Sequence, residues 1–246
     1  MLGREIRDIL GDRLPRDHAR QTLADSYAAR LRPRDVLDLG CGAGDSVELF
    51  RQLDSGVRWV GVDIEDSTEV RARSRTDAEF QTFDGVHLPF EDSSFNLVYS
   101  KQVLEHVVEP APLIREVTRV LRPGGHFAGS TSQLEPFHSR STANYTPYGL
   151  AVLLEGYGLE VVELRPGIDA LALIVRRGLG RPRWMHRWWV GESPLNRAID
   201  LVGRLGRRDA AEVNALKLLF CGQFAFLARR PAGTGVAETA PERPEG

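Results

Sequence analysis

The chain of 246 residues is 42% apolar and 27% charged, enough to bury one sizeable core, so a single domain with decorations is expected over residues 1–230. Its only cysteines, Cys41 and Cys221, one of them inside the glycine loop, are expected to leave neither a disulfide framework nor a zinc site; "MLGREIRDILGDRLPRDHARQ" has no signal-peptide core and no apolar run approaches the ~20 residues of a bilayer span, so the cytoplasm is the expected compartment. The formal net charge of −2 conceals an asymmetry: from Arg176 to Arg208 nine arginines face Glu192 and Asp200, a local +7, and the remainder sums to −9.

In chain order, residues 1–32 read as an N-terminal helical segment, amphipathic and ending near Arg30. Short β-branched or aromatic runs then alternate with helical patterns. "DVLDLG" (35–40), "RWVGVDI" (58–64), "AEFQTFD" (78–84), "FNLVYS" (95–100) and "GHFAGSTS" (125–132) read as strands, with "GDSVELFRQL", "STEVRARSR" and "APLIREVTRVL" as the helices between them. Such alternation implies right-handed crossovers and a parallel sheet covered on both faces. Pro123-Gly124-Gly125 is expected to stop the helix closing at Leu121, with glycine as the left-handed cap.

Beyond a polar loop, "YGLAVLLEGYG" reads as a helix and "LEVVELRP" as a strand. Residues 167–215 form a basic, tryptophan-bearing helical insertion before a last strand at 219–229, and the two late strands are expected to make an antiparallel edge hairpin. The fold class is therefore α/β: a doubly wound, mostly parallel, seven-stranded Rossmann-like sheet. The Pro-, Gly- and Glu-rich tail 231–246 is expected to be disordered.

The stretch "LDLGCGAGD" carries glycines 40, 42 and 44 directly after the first strand. In a doubly wound sheet the first strand's loop is a usual ligand contributor. The spacing is G-x-G-x-G; a dinucleotide fingerprint would need glycine where Asp45 stands, and an aspartate there repels a pyrophosphate. Asp63, at the end of the second strand, suits both hydroxyls of a ribose. Asp84 closes the third strand and can accept an amino hydrogen from an adenine, with Gly85 permitting close approach. Together the loops describe adenosine without phosphate, and leave Asp38 and the loop backbone to meet a charged appendage. Asp45 and Ser46 read as a helix N-cap pair.

"VLDLGCGAGD", "VGVDI", "FDGVHLPFEDSSFNLVYSKQVLEHV" and "VLRPGG" resemble the successive motifs of class I S-adenosylmethionine-dependent methyltransferases, in particular the small-molecule, type 11-like branch. The resemblance implies S-adenosyl-L-methionine as cofactor and assigns residues one by one. Asp38, Gly40, Gly42 and Gly44 match the loop around the methionine moiety; Asp63 matches the ribose acid, with Ile64 beside the adenine; Asp84 and Gly85 match the adenine-edge pair; Lys101 and Gln102 match the tip of the fourth strand, bordering the methyl group. The chain departs from the pattern at Asn96, where aspartate is usual, and in "DIEDSTEV", which lacks S-x-x-M.

His106 in "LEHV" stands beside the expected methyl donor and is a candidate general base, since imidazole ionises near neutrality. His138 and Tyr145, in the polar loop after the fifth strand, are alternative bases. With no run of carboxylates after the fourth strand, no metal is expected. The expected activity is methyl transfer to oxygen, nitrogen or carbon of a small-molecule or lipid-linked acceptor; the alternative is a catalytically inactive, methyltransferase-like binding or scaffold protein. No nucleic-acid module is recognisable. In "RRGLGRPRWMHRWWVGES" (176–193), Trp184, Trp188 and Trp189 lie at near-helical spacing among five arginines. That segment suits peripheral membrane contact or a phosphate-bearing acceptor, and suits equally a lid helix packing its tryptophans on its own domain.

Overall fold

A computed structural model describes residues 2–233. Seven strands form one sheet in the order β3-β2-β1-β4-β5-β7-β6: β1 (Asp35–Leu39), β2 (Arg58–Ile64), β3 (Glu79–Phe83), β4 (Phe95–Lys101), β5 (Leu121–Ser132), β6 (Glu160–Pro166) and β7 (Gln223–Arg229). The first five pair in parallel, and β7 lies antiparallel between β5 and β6. Strand order reverses between β1 and β4, which opens the carboxyl-end crevice where ligands of this architecture bind. Leu37, Leu39, Val60, Val98 and Phe127 are wholly buried beneath one helical layer, while Val36, Leu97, Tyr99 and Ala128 are buried beneath the other. Coverage of both faces explains why these strands read as continuous apolar runs.

The helices are α1 (Leu2–Leu10), α2 (Asp25–Leu31), α3 (Val47–Leu53), α4 (Thr68–Arg71), α5 (Pro110–Val120), α6 (Pro147–Gly156), α7 (Ala170–Gly178), α8 (His186–Val190), α9 (Pro194–Leu205) and α10 (Ala210–Phe220). Three local expectations need correction. Leu219 and Phe220 finish α10 instead of opening β7, because Asp209 caps that helix by accepting from the Glu212 N–H at 2.8 Å and apolar side chains at helical spacing carry it on to Phe220. Helix α5 ends at Val120 with Leu121 already extended, so Gly124, at φ +78°, shapes something other than a cap. Leu121 pairs with Phe95 and His126 with Leu97, so Arg122–Gly125 bulge out of β5. The helix expected from "STEVRARSR" is a single turn at Thr68–Arg71.

The N-terminal segment and the insertion pack on each other. Helix α1 lies along α10, and the irregular strap between α1 and α2 is pinned by the Asn214 amide, which donates to Pro15 O and His18 O at 3.0 Å. Lys217, fully buried, donates to Ala19 O and pairs with Glu192 (3.0 Å) and Asp200 (2.9 Å). The Gln21 amide donates to Trp188 O and Trp189 O at 3.0 Å. The insertion is thereby fixed beside the carboxyl ends of β4 and β5. The tail expected over 231–246 lies, beyond Gly233, outside the described residues.

Candidate active site

The loop after β1 turns through three left-handed glycines, Gly40 (φ +71°), Gly42 (+51°) and Gly44 (+85°), a path that L side chains rarely follow. Its missing Cβ atoms face protein: one added at Gly40 would sit 2.3 Å from Val103 Cγ2, and one at Gly44 2.8 Å from the Phe80 ring. The backbone is anchored to β2, with the Gly40 N–H donating to Val62 O at 2.8 Å. Asp63 accepts from the Gly42 N–H through Oδ2 (2.7 Å) and from the Ile64 N–H through Oδ1 (2.8 Å). Arg73, not singled out in the sequence, clamps the Gly42 carbonyl through Nε (2.9 Å) and Nη2 (2.6 Å) while lying 3.9 Å from the centroid of Phe80.

Asp38, one residue before the end of β1, is nearly buried, at 5% exposure. Ser46 Oγ donates to it and accepts from Trp59 Nε1 at 2.9 Å; Ser46 therefore does not cap α3 with its side chain, contrary to the N-cap expectation. Burial pushes the Asp38 carboxyl up to about 7, with the nearby Asp63 charge adding and the Ser46 hydroxyl opposing. Burial also raises Asp63 above the usual carboxylate range, against the pull of its two backbone donors. Two acids whose charged forms are disfavoured by burial at one loop favour a cationic neighbour.

At the adjoining loop, Gly85 (φ +91°) faces Ile64, whose Cγ2 is 3.7 Å from where a Cβ would be. Asp84 accepts from the Val86 and His87 N–H groups at 2.8 and 2.7 Å and meets His87 Nδ1 at 2.7 Å. Its histidine and backbone partners hold this exposed carboxyl well below the usual range, and one lone pair of Oδ2 stays open to a further donor. The fold brings Asp38, the three glycines, Asp63, Ile64 and Gly85 into direct succession. Asn96 lies instead at the opposite end of β4, accepting from the Asp35 N–H and from Arg122.

At the end of β4, Lys101 Nζ pairs with Asp25 (3.0 Å), which also accepts from the Tyr99 hydroxyl. Gln102 has φ +59°, a non-glycine left-handed residue of the kind that collects at functional sites. It lines a small cleft with Lys101, Ser130, Trp189 and Phe224. A larger surface cleft, lined by Arg34, Arg122 and His126, sits at the amino ends of the strands, away from every residue above. Beyond Gln102, a short turn (Leu104–His106) buries Glu105 completely. Its carboxylate accepts from Thr131 Oγ1 (3.1 Å) and Ser132 Oγ (3.0 Å). His106 and His138 meet edge to face, ring centroids 5.3 Å apart. No carboxylate cluster follows β4 in the sequence, yet the fold gathers Glu105, His106 and His138 with ligand atoms all within 4.8 Å of one another. Tyr145 donates to Leu104 O at 3.4 Å, and burial raises its phenol above the ordinary value.

Fold and loop define a nucleoside-binding α/β enzyme, and comparison with known proteins specifies which. The family model described as "Methyltransferase domain" matches residues 37–129. A probable S-adenosylmethionine-dependent methyltransferase of Mycolicibacterium smegmatis is 32% identical over 184 residues, covering 70% of this chain and 67% of that one. Among solved structures, the Haemonchus contortus phosphoethanolamine N-methyltransferase 2 in complex with S-adenosyl-L-methionine shares the fold at TM-score 0.55 and 16% identity, covering 93% of this chain and 56% of that one. The [4+2]-cyclase SpnF does so at TM-score 0.55 and 18% identity, covering 94% and 93%. The chain belongs to the S-adenosylmethionine-dependent methyltransferases. It is an enzyme of methyl transfer with S-adenosylmethionine as cofactor, and the scaffold alternative has no support among these relatives.

Proposed function

We propose that this enzyme methylates an anionic, lipid-linked acceptor that reaches the site from a membrane surface. The observation carrying the proposal is the continuity between an unpartnered, arginine-rich apolar face and the cleft beside Gln102. Leu171, Ile174, Val175 and Leu179 are 61, 49, 42 and 59% exposed along one face of α7 and its end, and Trp184 and Val190 are exposed beyond them. Arg181 and Arg183 have no acidic partner among the described residues, and Arg176 and Arg187 lie over the rings of Trp189 and Trp188 at 5.0 and 5.3 Å. Trp188 and Trp189 pack inward on Ile168, Ala172 and Leu173, as the lid reading expects, and Trp189 reaches the cleft. An exposed indole and leucines ringed by guanidinium groups match the headgroup boundary of an anionic bilayer. No described helix is long and apolar enough to cross a membrane.

The cofactor supplies an electrophilic methyl group on a sulfonium that is its own leaving group. Toward it, Asp63 would offer the lone pairs left over from its two backbone donors to the ribose, and Ile64 and Gly85 would flank the adenine with Asp84 at its edge. Asp38 offers a buried carboxyl to the ammonium of the methionine part. Lys101 and Gln102 border the methyl end, where the protein's task is to align the acceptor and exclude water. Of the three candidate bases, His106 and His138 stand toward this end, while the Tyr145 hydroxyl is committed to Leu104 O.

Co-sedimentation with phosphatidylglycerol-containing vesicles tests the membrane approach. Binding should weaken as salt rises and fall at least tenfold in a Leu179→Ala/Trp184→Ala double variant, both positions being exposed. A folded protein that stays in the supernatant at low salt, or that buries this face in a dimer instead, overturns the proposal.

A further inference from the structure

We propose that Glu105, His106 and His138 form a binding site for a first-row divalent cation. Glu105 is 0% exposed, and within hydrogen-bonding distance its carboxylate meets neutral groups, the hydroxyls of Thr131 and Ser132 and the Gln102 amide at 3.0 Å, with no arginine or lysine among them. Away from the cofactor loop, where Asp38 lies, the other buried acids are provided for: Glu135 pairs with Arg177, Glu163 with Arg30 and Arg165, and Asp169 accepts from the Ala172 and Leu195 N–H groups. A carboxylate removed from water without a cation is costly. Around Glu105 the remaining candidates are two half-buried imidazoles, and their ligand atoms and its own lie within 4.8 Å of one another. Ligand distances of about 2.0–2.2 Å would draw such atoms together by small side-chain rotations.

The surroundings have the form of an outer shell. His138 Nδ1 lies 3.3 Å from Pro136 O, a carbonyl placed to orient the ring in the way that outer-shell acceptors orient ligating imidazoles. Thr131 and Ser132 orient the carboxylate, and the Glu105 carbonyl accepts from the Thr142 N–H at 2.7 Å, tying the loop that bears His138 to the turn that bears Glu105 and His106. Glu135 lies 3.8 Å from His138 Nδ1, its charge offset by Arg177. Two imidazoles and one carboxylate suit zinc, iron(II) or manganese and leave coordination positions open. Gln102, against Ser130 Oγ (3.1 Å) and Ser132 Oγ (3.3 Å), links this cluster to the cleft it lines. With the ion bound, His106 and His138 serve as its ligands and no longer as bases, and an acceptor oxygen is the chemistry that would fill an open position, a step that rests on the methyl-transfer reading; the ion's binding does not.

Titration of the untagged, chelator-stripped full chain with Co²⁺, followed by visible absorption and competed with Zn²⁺, tests the site. One equivalent should bind with tetrahedral or five-coordinate bands. A His106→Ala/His138→Ala double variant should lose the bands, and Glu105→Gln should weaken binding at least tenfold. S-adenosylmethionine binding, measured calorimetrically in the His variants, should stay within threefold of the parent, which separates loss of the ion from loss of the cofactor site. Absence of a bound equivalent at tens of micromolar Co²⁺, or unchanged bands in the folded double variant, overturns the proposal.

Discussion

Binding of S-adenosylmethionine should release a proton from Asp38. The carboxyl is 5% exposed and is pushed up to about 7 from 3.8, chiefly by burial. Placing an ammonium beside it favours the ionised form, so binding selects the deprotonated protein. With an unliganded value of about 7, the deprotonated fraction is about half at pH 7 and about a tenth at pH 6. Affinity should therefore fall about fivefold between pH 7.0 and 6.0, a window below the titration of the cofactor's own α-amino group. Calorimetry in two buffers of different ionisation enthalpy should show about half a proton released at pH 7 and nearly one at pH 6. The same shift acts on the unliganded fold. A raised carboxyl stabilises fully only below its unfolded value near 3.8, and that contribution is lost as pH rises through about 7, on the order of 4 kcal/mol. Asp38→Asn should thus melt higher than the parent at pH 8, match it near pH 4, and bind the cofactor weakly without the proton release. An affinity that is flat from pH 6 to 7, or a proton release that survives in Asp38→Asn, refutes the reasoning.

Asp63→Ala should lower S-adenosylmethionine affinity at least tenfold, about 2 to 4 kcal/mol for two charge-assisted hydrogen bonds; calorimetry on the folded variant checks it, and an unchanged affinity removes the ribose assignment. Gly40→Ala places a Cβ 2.3 Å from Val103 Cγ2 at φ +71°, so thermal melts should show a loss of about 1–3 kcal/mol from backbone strain, with more from the clash. Lys217→Met strips a fully buried ammonium from Glu192 and Asp200; denaturant titration should show about 3–5 kcal/mol lost, loosening the insertion from the N-terminal strap.

The parallel sheet and the glycine loop were legible because both are local signals: strand runs of buried residues, three glycines at alternate positions, and acids at the ends of consecutive strands. What stayed hidden depended on elements far apart in the chain. Asp25 opens α2 as an ordinary first-turn acid, and only docking of that helix against the end of β4 sets it against Tyr99 and Lys101, 74 and 76 residues away. Arg73 sits in a stretch read as helix, whose early end after one turn frees it to reach the Gly42 carbonyl. Ser46 occupies the N-cap position of α3, yet the buried Asp38 and Trp59 compete for its hydroxyl and win. The insertion's three tryptophans looked equivalent at helical spacing; packing on Ile168 and Leu173 takes Trp188 and Trp189 and leaves Trp184 outside. Glu105 and His106 were adjacent in the sequence, but the loop that swings His138 onto them is fixed by backbone bonds to the Glu105 carbonyl that no spacing discloses.

Methyl transfer from S-adenosylmethionine to a lipid-linked acceptor at a membrane surface, as proposed above, predicts methylated products that partition into organic solvent. Incubating the purified enzyme with methyl-labelled S-adenosylmethionine and membranes from bacterial cells, then separating organic from aqueous phases, tests it most directly. Label should enter the organic phase, increase when the membranes are rich in anionic lipid, and drop at least tenfold in Asp63→Ala. Label that enters only water-soluble products, at a rate indifferent to membranes, contradicts the claim.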